Sequence, residues 1–155
     1  MGDFGVELSG CEKTLIKSKE KIGFGDIVSQ GMPFYSGNIT YKETINVPEA
    51  CDLCINTANY KGHLVKVKID GRDVGNIVFA PYDLYVNGVS AGEHTVEFTL
   101  FGNRHNTFGG LHNCGISIYY GQGYWYSTDN SWSYEYNLKP SGILKSPVIT
   151  MYKDV

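Results

Sequence analysis

From residue 36 onward, apolar and polar residues alternate with a period of two over most of the chain, the signature of half-buried β-strands. Within 36–47, Ile39, Tyr41, Ile45 and Val47 fall on one side and Thr40, Lys42, Thr44 and Asn46 on the other, until Pro48 stops the run. Leu53 and Ile55 carry the pattern into a second strand within 50–57. Val65, Val67 and Ile69 oppose Lys66, Lys68 and Asp70 in a third, and Asp70-Gly71 supplies the positive φ angles of a tight hairpin turn. The next run, 74–79, has apolar residues on both faces and reads as a strand buried between layers, ended by Pro81.

Beyond the turn Val89-Ser90-Ala91-Gly92, the residues Val96, Phe98 and Leu100 face away from Thr95, Glu97 and Thr99. Ile116, Ile118 and Tyr120 begin a further strand, Tyr134, Tyr136 and Leu138 another, and Val148, Thr150 and Tyr152 the last. The one helical candidate, 12–22, has β-branched residues and no strong cap. About eight to ten strands at this spacing predict an all-β fold, a two-sheet antiparallel β-sandwich filling one domain over residues 1–155. The longest irregular regions are 102–113 and 121–133, and loops of such length in a compact domain tend to carry function.

Composition supports this picture. The chain has 155 residues, 42% of them hydrophobic and only 19% charged, with 19 Gly, 12 Tyr and 7 Phe. A net charge of -3 with scattered Lys and Arg provides no basic stripe for phosphates, so nucleic acid is not an expected partner. The run from Lys17 to Lys21 is interrupted by Ser18 and Glu20 and reads as a solvated strand or loop. No apolar run approaches the ~20 residues of a spanning helix, so no membrane partner is expected. The start Met-Gly-Asp-Phe-Gly has neither the basic nor the apolar region of a signal peptide. In a segment excised from a larger protein, that says nothing of the compartment.

Four cysteines raise a metal or disulfide reading. Cys51 and Cys54 have the CxxC spacing of a zinc knuckle, but on a strand positions i and i+3 point to opposite faces, and no second CxxC is present. Cys11 and Cys114 stand alone and read as buried thiols serving as small apolar residues, with a bridge between them as the alternative.

Four phrases occur in a telling order: Phe34-Tyr35-Ser36-Gly37-Asn38-Ile39-Thr40-Tyr41, then Val67-Lys68-Ile69-Asp70-Gly71-Arg72-Asp73-Val74-Gly75, then Ala80-Pro81-Tyr82, then Ala91-Gly92-Glu93-His94-Thr95-Val96-Glu97-Phe98. Together with the loop 102–112 and the tail 136–144, this order resembles the galactose-binding-like jelly-roll domains attached to bacterial glycoside hydrolases. Such a resemblance implies a carbohydrate-binding or accessory module, non-catalytic itself and excised from a larger multidomain protein. Its implied partners are carbohydrate and the catalytic domain of the same parent chain. It implies no cofactor beyond a structural calcium, although no clustered Asp-Asn run near the first strand fixes a site for one. Where the family opens its aromatic-Gly strand with Trp, this chain has Phe34-Tyr35.

A sugar is recognised by flat apolar surfaces against its CH faces and by amides, carboxylates or guanidinium groups at its hydroxyls. Tyr124, Trp125, Tyr126 and Trp132 lie among Gly, Ser, Thr, Asp and Asn and offer such a platform. Trp125 and Trp132 serve equally well as aromatics closing one end of the core. In the preceding loop, Arg104 and His112 are the expected ligand contacts, while Asn106 and the glycines read as residues that shape the turn. The two roles of the tryptophans differ in one observable: a binder exposes Trp125 or Trp132 beside polar groups, and a structural domain with no ligand of its own buries both.

Catalysis finds less material. Glycoside hydrolysis needs two carboxylates about 5 to 9.5 Å apart. Glu43, Glu93, Glu97, Asp129 and Glu135 read as solvent-facing or turn residues, the four histidines have no triad or zinc spacing, and no serine sits in a GxSxG elbow.

Overall fold

A computed structural model describes residues 3–114 and 129–153. The chain divides into two compact units, one formed by 1–22, 26–36 and 103–140 and the other by 23–25, 37–102 and 141–155. The second, the sandwich unit, contains β3 (Ile39–Val47), β4 (Cys51–Asn56), β5 (Tyr60–Lys61), β6 (Leu64–Ile69), β7 (Arg72–Ile77), β8 (Asp83–Val89), β9 (Gly92–Phe101), β10 (Gly142–Ile143) and β11 (Val148–Tyr152). They form a four-stranded sheet of order β3-β9-β6-β7, a three-stranded sheet of order β11-β4-β8, and a short β10-β5 pair. Every pairing is antiparallel.

The period-two pattern determines the register. Tyr41 pairs with Phe98 and Ile39 with Leu100, while Val65, Val67 and Ile69 meet Leu100, Phe98 and Val96 on the other side of β9. These residues are buried, as are Leu53 and Ile55 of β4 from the second sheet. Each such side chain contributes roughly 1.5–3 kcal/mol on leaving water. Phe24 stacks on Tyr41 at a centroid distance of 4.9 Å and meets Phe98 edge-on at 6.3 Å, extending the apolar interior. The expected all-β antiparallel sandwich is the fold observed.

The Asp70-Gly71 turn has the expected positive φ angles, 51° and 78°. The strand after it differs from expectation. It runs Arg72–Ile77, two residues early, and is an edge strand in which only Ile77 is buried, while Phe79 is 82% exposed. Its apolar residues do not mean burial on both faces, because Val78 and Phe79 lie beyond the end of the strand, where Phe79 faces solvent. β8 is a further strand, whose apolar alternation is limited to Leu84 and Val86 and broken by Gly88. Its polar positions are answered individually: the Asn56 amide donates to Asp83 Oδ1 at 2.6 Å, and the Gly88 N–H donates to Asp52 Oδ1 at 2.7 Å.

The first unit, the hairpin unit, opens with β1 (Phe4–Ser9) paired to β2 (Glu12–Lys17) around a turn where Gly10 has φ 59°. Its remaining described elements are one helical turn, α1 (His105–Phe108), and a 3₁₀ turn, Asp129–Ser131. The strand expected at Tyr134, Tyr136 and Leu138 is absent: 133–140 forms no strand, and Trp132 makes only an isolated bridge to Asn113. The strand expected at Ile116, Ile118 and Tyr120 lies outside the described residues. All four cysteines are free, and Cys11 and Cys114 are exposed, which corrects both the buried-thiol reading and the bridge between them. Each sits at the rim of a turn, where a thiol faces solvent.

Candidate functional site

The hairpin unit gathers an aromatic stack from three separate segments. His112 stacks on Trp132 with centroids 4.6 Å apart and planes 22° from parallel. On its other contact it meets Tyr136, tilted by 41° at 4.7 Å. Phe34 packs edge-on against Tyr136 at 5.0 Å, and the Lys13 ammonium stands 5.1 Å from the Tyr136 ring centroid, within cation–π range.

Backbone contacts hold the stack together. The Ser133 N–H donates to the His112 carbonyl at 2.8 Å, and the Cys114 N–H donates to the Ser131 carbonyl at 2.8 Å. His112 Nδ1 lies 2.8 Å from the Ser133 carbonyl, which can only accept, so Nδ1 carries the proton. The ring is thereby fixed in orientation and tautomer. The Asn137 N–H and side-chain amide donate to the carbonyls of Leu111 (2.6 Å) and Asn113 (3.0 Å), tying the Tyr136 segment to the His112 segment.

Trp132 is 43% exposed. Since His112 covers one face of the indole, the accessible surface is its other face and edge. Tyr134, 76% exposed, stands at 88° to Trp132 with centroids 6.2 Å apart. The two nearly perpendicular rings form an exposed aromatic corner, with Asn130, Ser131 and Ser133 beside them in the chain.

Of the residues singled out by sequence, His112 and Trp132 are brought into contact, with His112 backing the indole. Arg104 is exposed and opens α1, its carbonyl accepting from the Thr107 and Phe108 N–H groups at 3.2 and 2.9 Å. No hydrogen bond or ring contact joins Arg104 to the stack among the described residues. Tyr124, Trp125 and Tyr126 lie outside the described residues. The alternation of Tyr134 and Tyr136 points to a strand and masks their place in the stack, for which Trp132-Ser133-Tyr134, two large aromatics flanking a serine, is the local signal.

The structural reading of Asn106 holds. It is buried, its amide donates to the Lys139 carbonyl at 2.7 Å and its oxygen accepts the Lys139 N–H at 2.9 Å. The Asn103 side chain likewise accepts the His105 N–H at 3.0 Å within its own turn. Burial, helped by the Lys139 ammonium, pushes the His105 pKa below the ordinary histidine value.

As for catalytic or metal chemistry, Glu43, Glu93 and Glu135 are exposed and Glu97 is paired with Lys42 at 2.6 Å. Among the described residues no group of three or more His, Cys, Asp or Glu side chains converges to hold a metal, so no residue set can be assigned to the calcium implied by the resemblance. Among the described residues, no helix is long and apolar enough to cross a membrane.

The sandwich unit defines the class, an antiparallel all-β sandwich, and the exposed aromatic corner belongs to the hairpin unit. No family model and no curated protein matches the chain. Among solved structures it is similar to the rhamnosidase from Novosphingobium sp. PP1Y, with a TM-score of 0.57 and 19% identity over 94% of this chain and 14% of that one. It also overlaps a GH2 β-galacturonidase from Eisenbergiella tayi, with a TM-score of 0.46 and 17% identity over 94% of this chain and 22% of that one. The rhamnosidase likeness is one of fold, and the chain spans only a small part of either enzyme's length. At the level of fold, the sequence resemblance to sandwich domains of glycoside hydrolases is met.

Proposed function

We propose that the chain is a non-catalytic accessory domain, residues 1–155 of a longer glycoside hydrolase, and that it binds carbohydrate on the Trp132–Tyr134 corner. The observation that carries this reading is the exposure of Trp132. An indole buries more apolar surface than almost any side chain, so leaving 43% of it in water is costly unless a partner covers it. Here it is also rigid, held from behind by His112, and rigidity lowers the entropy lost on binding. The likeness to a small part of a rhamnosidase supports the accessory role. The remaining partner in this reading is the catalytic domain of the same parent chain.

A glycan array followed by calorimetry tests it. At least one glycan should bind, and Trp132→Ala should weaken that binding by about 30-fold, the loss of roughly 2 kcal/mol typical of an aromatic anchor. Tyr134→Ala should weaken it less, and Trp125→Ala shows whether the neighbouring aromatics contribute. If no glycan binds, or if Trp132→Ala binds as the parent does, the corner is not a sugar site.

A further inference from the structure

At one end of the sandwich unit, a histidine closes the rim with both ring nitrogens committed. His94 continues the inward row Leu100, Phe98, Val96 of β9 to the edge of the core, where its side chain is only 11% exposed. Nδ1 lies 2.6 Å from Asp70 Oδ2 in the β6–β7 turn. Nε2 lies 2.9 Å from the carbonyl of Ser90, in the connection that carries the chain from β8 in one sheet to β9 in the other. Asp70 is itself fixed, its Oδ1 accepting the Thr95 N–H at 2.9 Å and its own N–H donating to the Thr95 carbonyl at 2.9 Å.

A carboxylate and a carbonyl only accept hydrogen bonds, whereas a neutral imidazole has one N–H. Both contacts can be made at once only by the imidazolium. When the proton leaves, one nitrogen lone pair faces an oxygen at contact distance. The charge-assisted bond to Asp70 is the stronger, so the bond that gives way is the one to Ser90.

We propose that His94 is a proton-operated clasp that ties the β8–β9 connection to the β6–β7 hairpin as an imidazolium and releases Ser90 when it becomes neutral. The released connection borders a groove of about 580 Å³ lined in part by Arg72, Val86 and Asn87, so the clasp sets the width of this end of the sandwich. Of the surrounding charges, the carboxylates favour the closed form and the Arg72 guanidinium opposes it. Asp70 and Arg72 stand on the β6–β7 hairpin, Glu93 is the exposed neighbour of His94 on β9, and Glu43 lies on the same face of β3 two residues from Ile45, the partner of His94. From β8, Val86 and Asn87 bring no charge. The hydrogen bond to Asp70, then that to Ser90, raise the ring's pKa above the ordinary histidine value.

Nitrogen-15 NMR of the histidine rings in the intact chain reads both states. Below its midpoint His94 should show two protonated nitrogens. The midpoint should lie above the usual value of about 6.5, and the Ser90 and Ala91 amide resonances should shift with that same midpoint. In Asp70→Asn the midpoint should fall, and in His94→Gln the pH response of Ser90 and Ala91 should vanish. A His94 with one protonated nitrogen in mildly acidic solution would overturn the clasp. So would Ser90 and Ala91 resonances that ignore the His94 titration or keep their pH response in His94→Gln.

Discussion

The sandwich unit and the hairpin unit use different interactions to hold their shape. Among the described residues, most buried apolar side chains lie in the sandwich unit, from Ile39 to Ile143, with Ile27 and Pro33 in the hairpin unit. The hairpin unit relies on polar groups turned onto its own backbone: Asn106 on Lys139, Thr107 Oγ1 on the Phe34 carbonyl at 2.7 Å, His112 on Ser133 and Asn137 on Asn113. Ladder hydrogen bonds and alternating side chains make a regular, closely packed scaffold. Loop segments with few ladders must satisfy each carbonyl and N–H separately, and so they can leave large aromatics at the surface.

Two substitutions measure that difference on one scale. Phe98 is completely buried at the centre of β9, between β3 and β6, and Phe98→Ala should cost about 3–5 kcal/mol in urea unfolding. Asn106→Ala leaves the Lys139 N–H and carbonyl without their partner and should cost about 2 kcal/mol. An Asn106→Ala loss near zero would mean that the hairpin unit does not depend on its polar clamps, and a loss matching Phe98→Ala would erase the distinction between the units.

The same difference explains what the sequence made legible. Val65, Val67 and Ile69 declare a strand because every second residue must face a core, and Asp70-Gly71 declares its turn because few residues accept positive φ. β8 is hidden by Asp83, Asn87 and Gly88, and the polar groups of Asp83 and Gly88 are answered by β4 residues remote in sequence. β1 is hidden because its buried residue is Gly5, which has no side chain to mark the inward face; a Cβ there would lie 3.0 Å from Ile16 Cγ1 and 3.1 Å from the Gly31 carbonyl oxygen. Tyr134 and Tyr136 alternate as a strand would, yet no strand pairs with them, and the alternation instead puts one ring in solvent and the other against His112. Trp132 was legible as a candidate from its polar neighbours, but its exposure depends on His112, twenty residues earlier, which no local pattern reveals.

The smallest effect contrasts two histidines, one in each unit. His94 has its pKa raised by Asp70 and Ser90, and His105 has its pKa lowered by burial and by Lys139. Stability follows the protons that folding takes up or gives off. For His94 the folded state binds more protons between the ordinary value and the raised one. Its contribution is therefore complete below about 6.5 and is lost as pH rises through the folded value. For His105 the unfolded state binds more, so its contribution is complete above about 6.5 and is lost as pH falls through the lowered folded value. Mild acid should thus favour the sandwich end and work against the α1 turn. In proton NMR the two imidazole resonances should titrate on opposite sides of 6.5, and His105→Gln should flatten the acid limb of the unfolding curve while His94→Gln flattens the alkaline one. Equal midpoints would show that neither the Asp70 contact at His94 nor burial at His105 sets the two rings apart in solution.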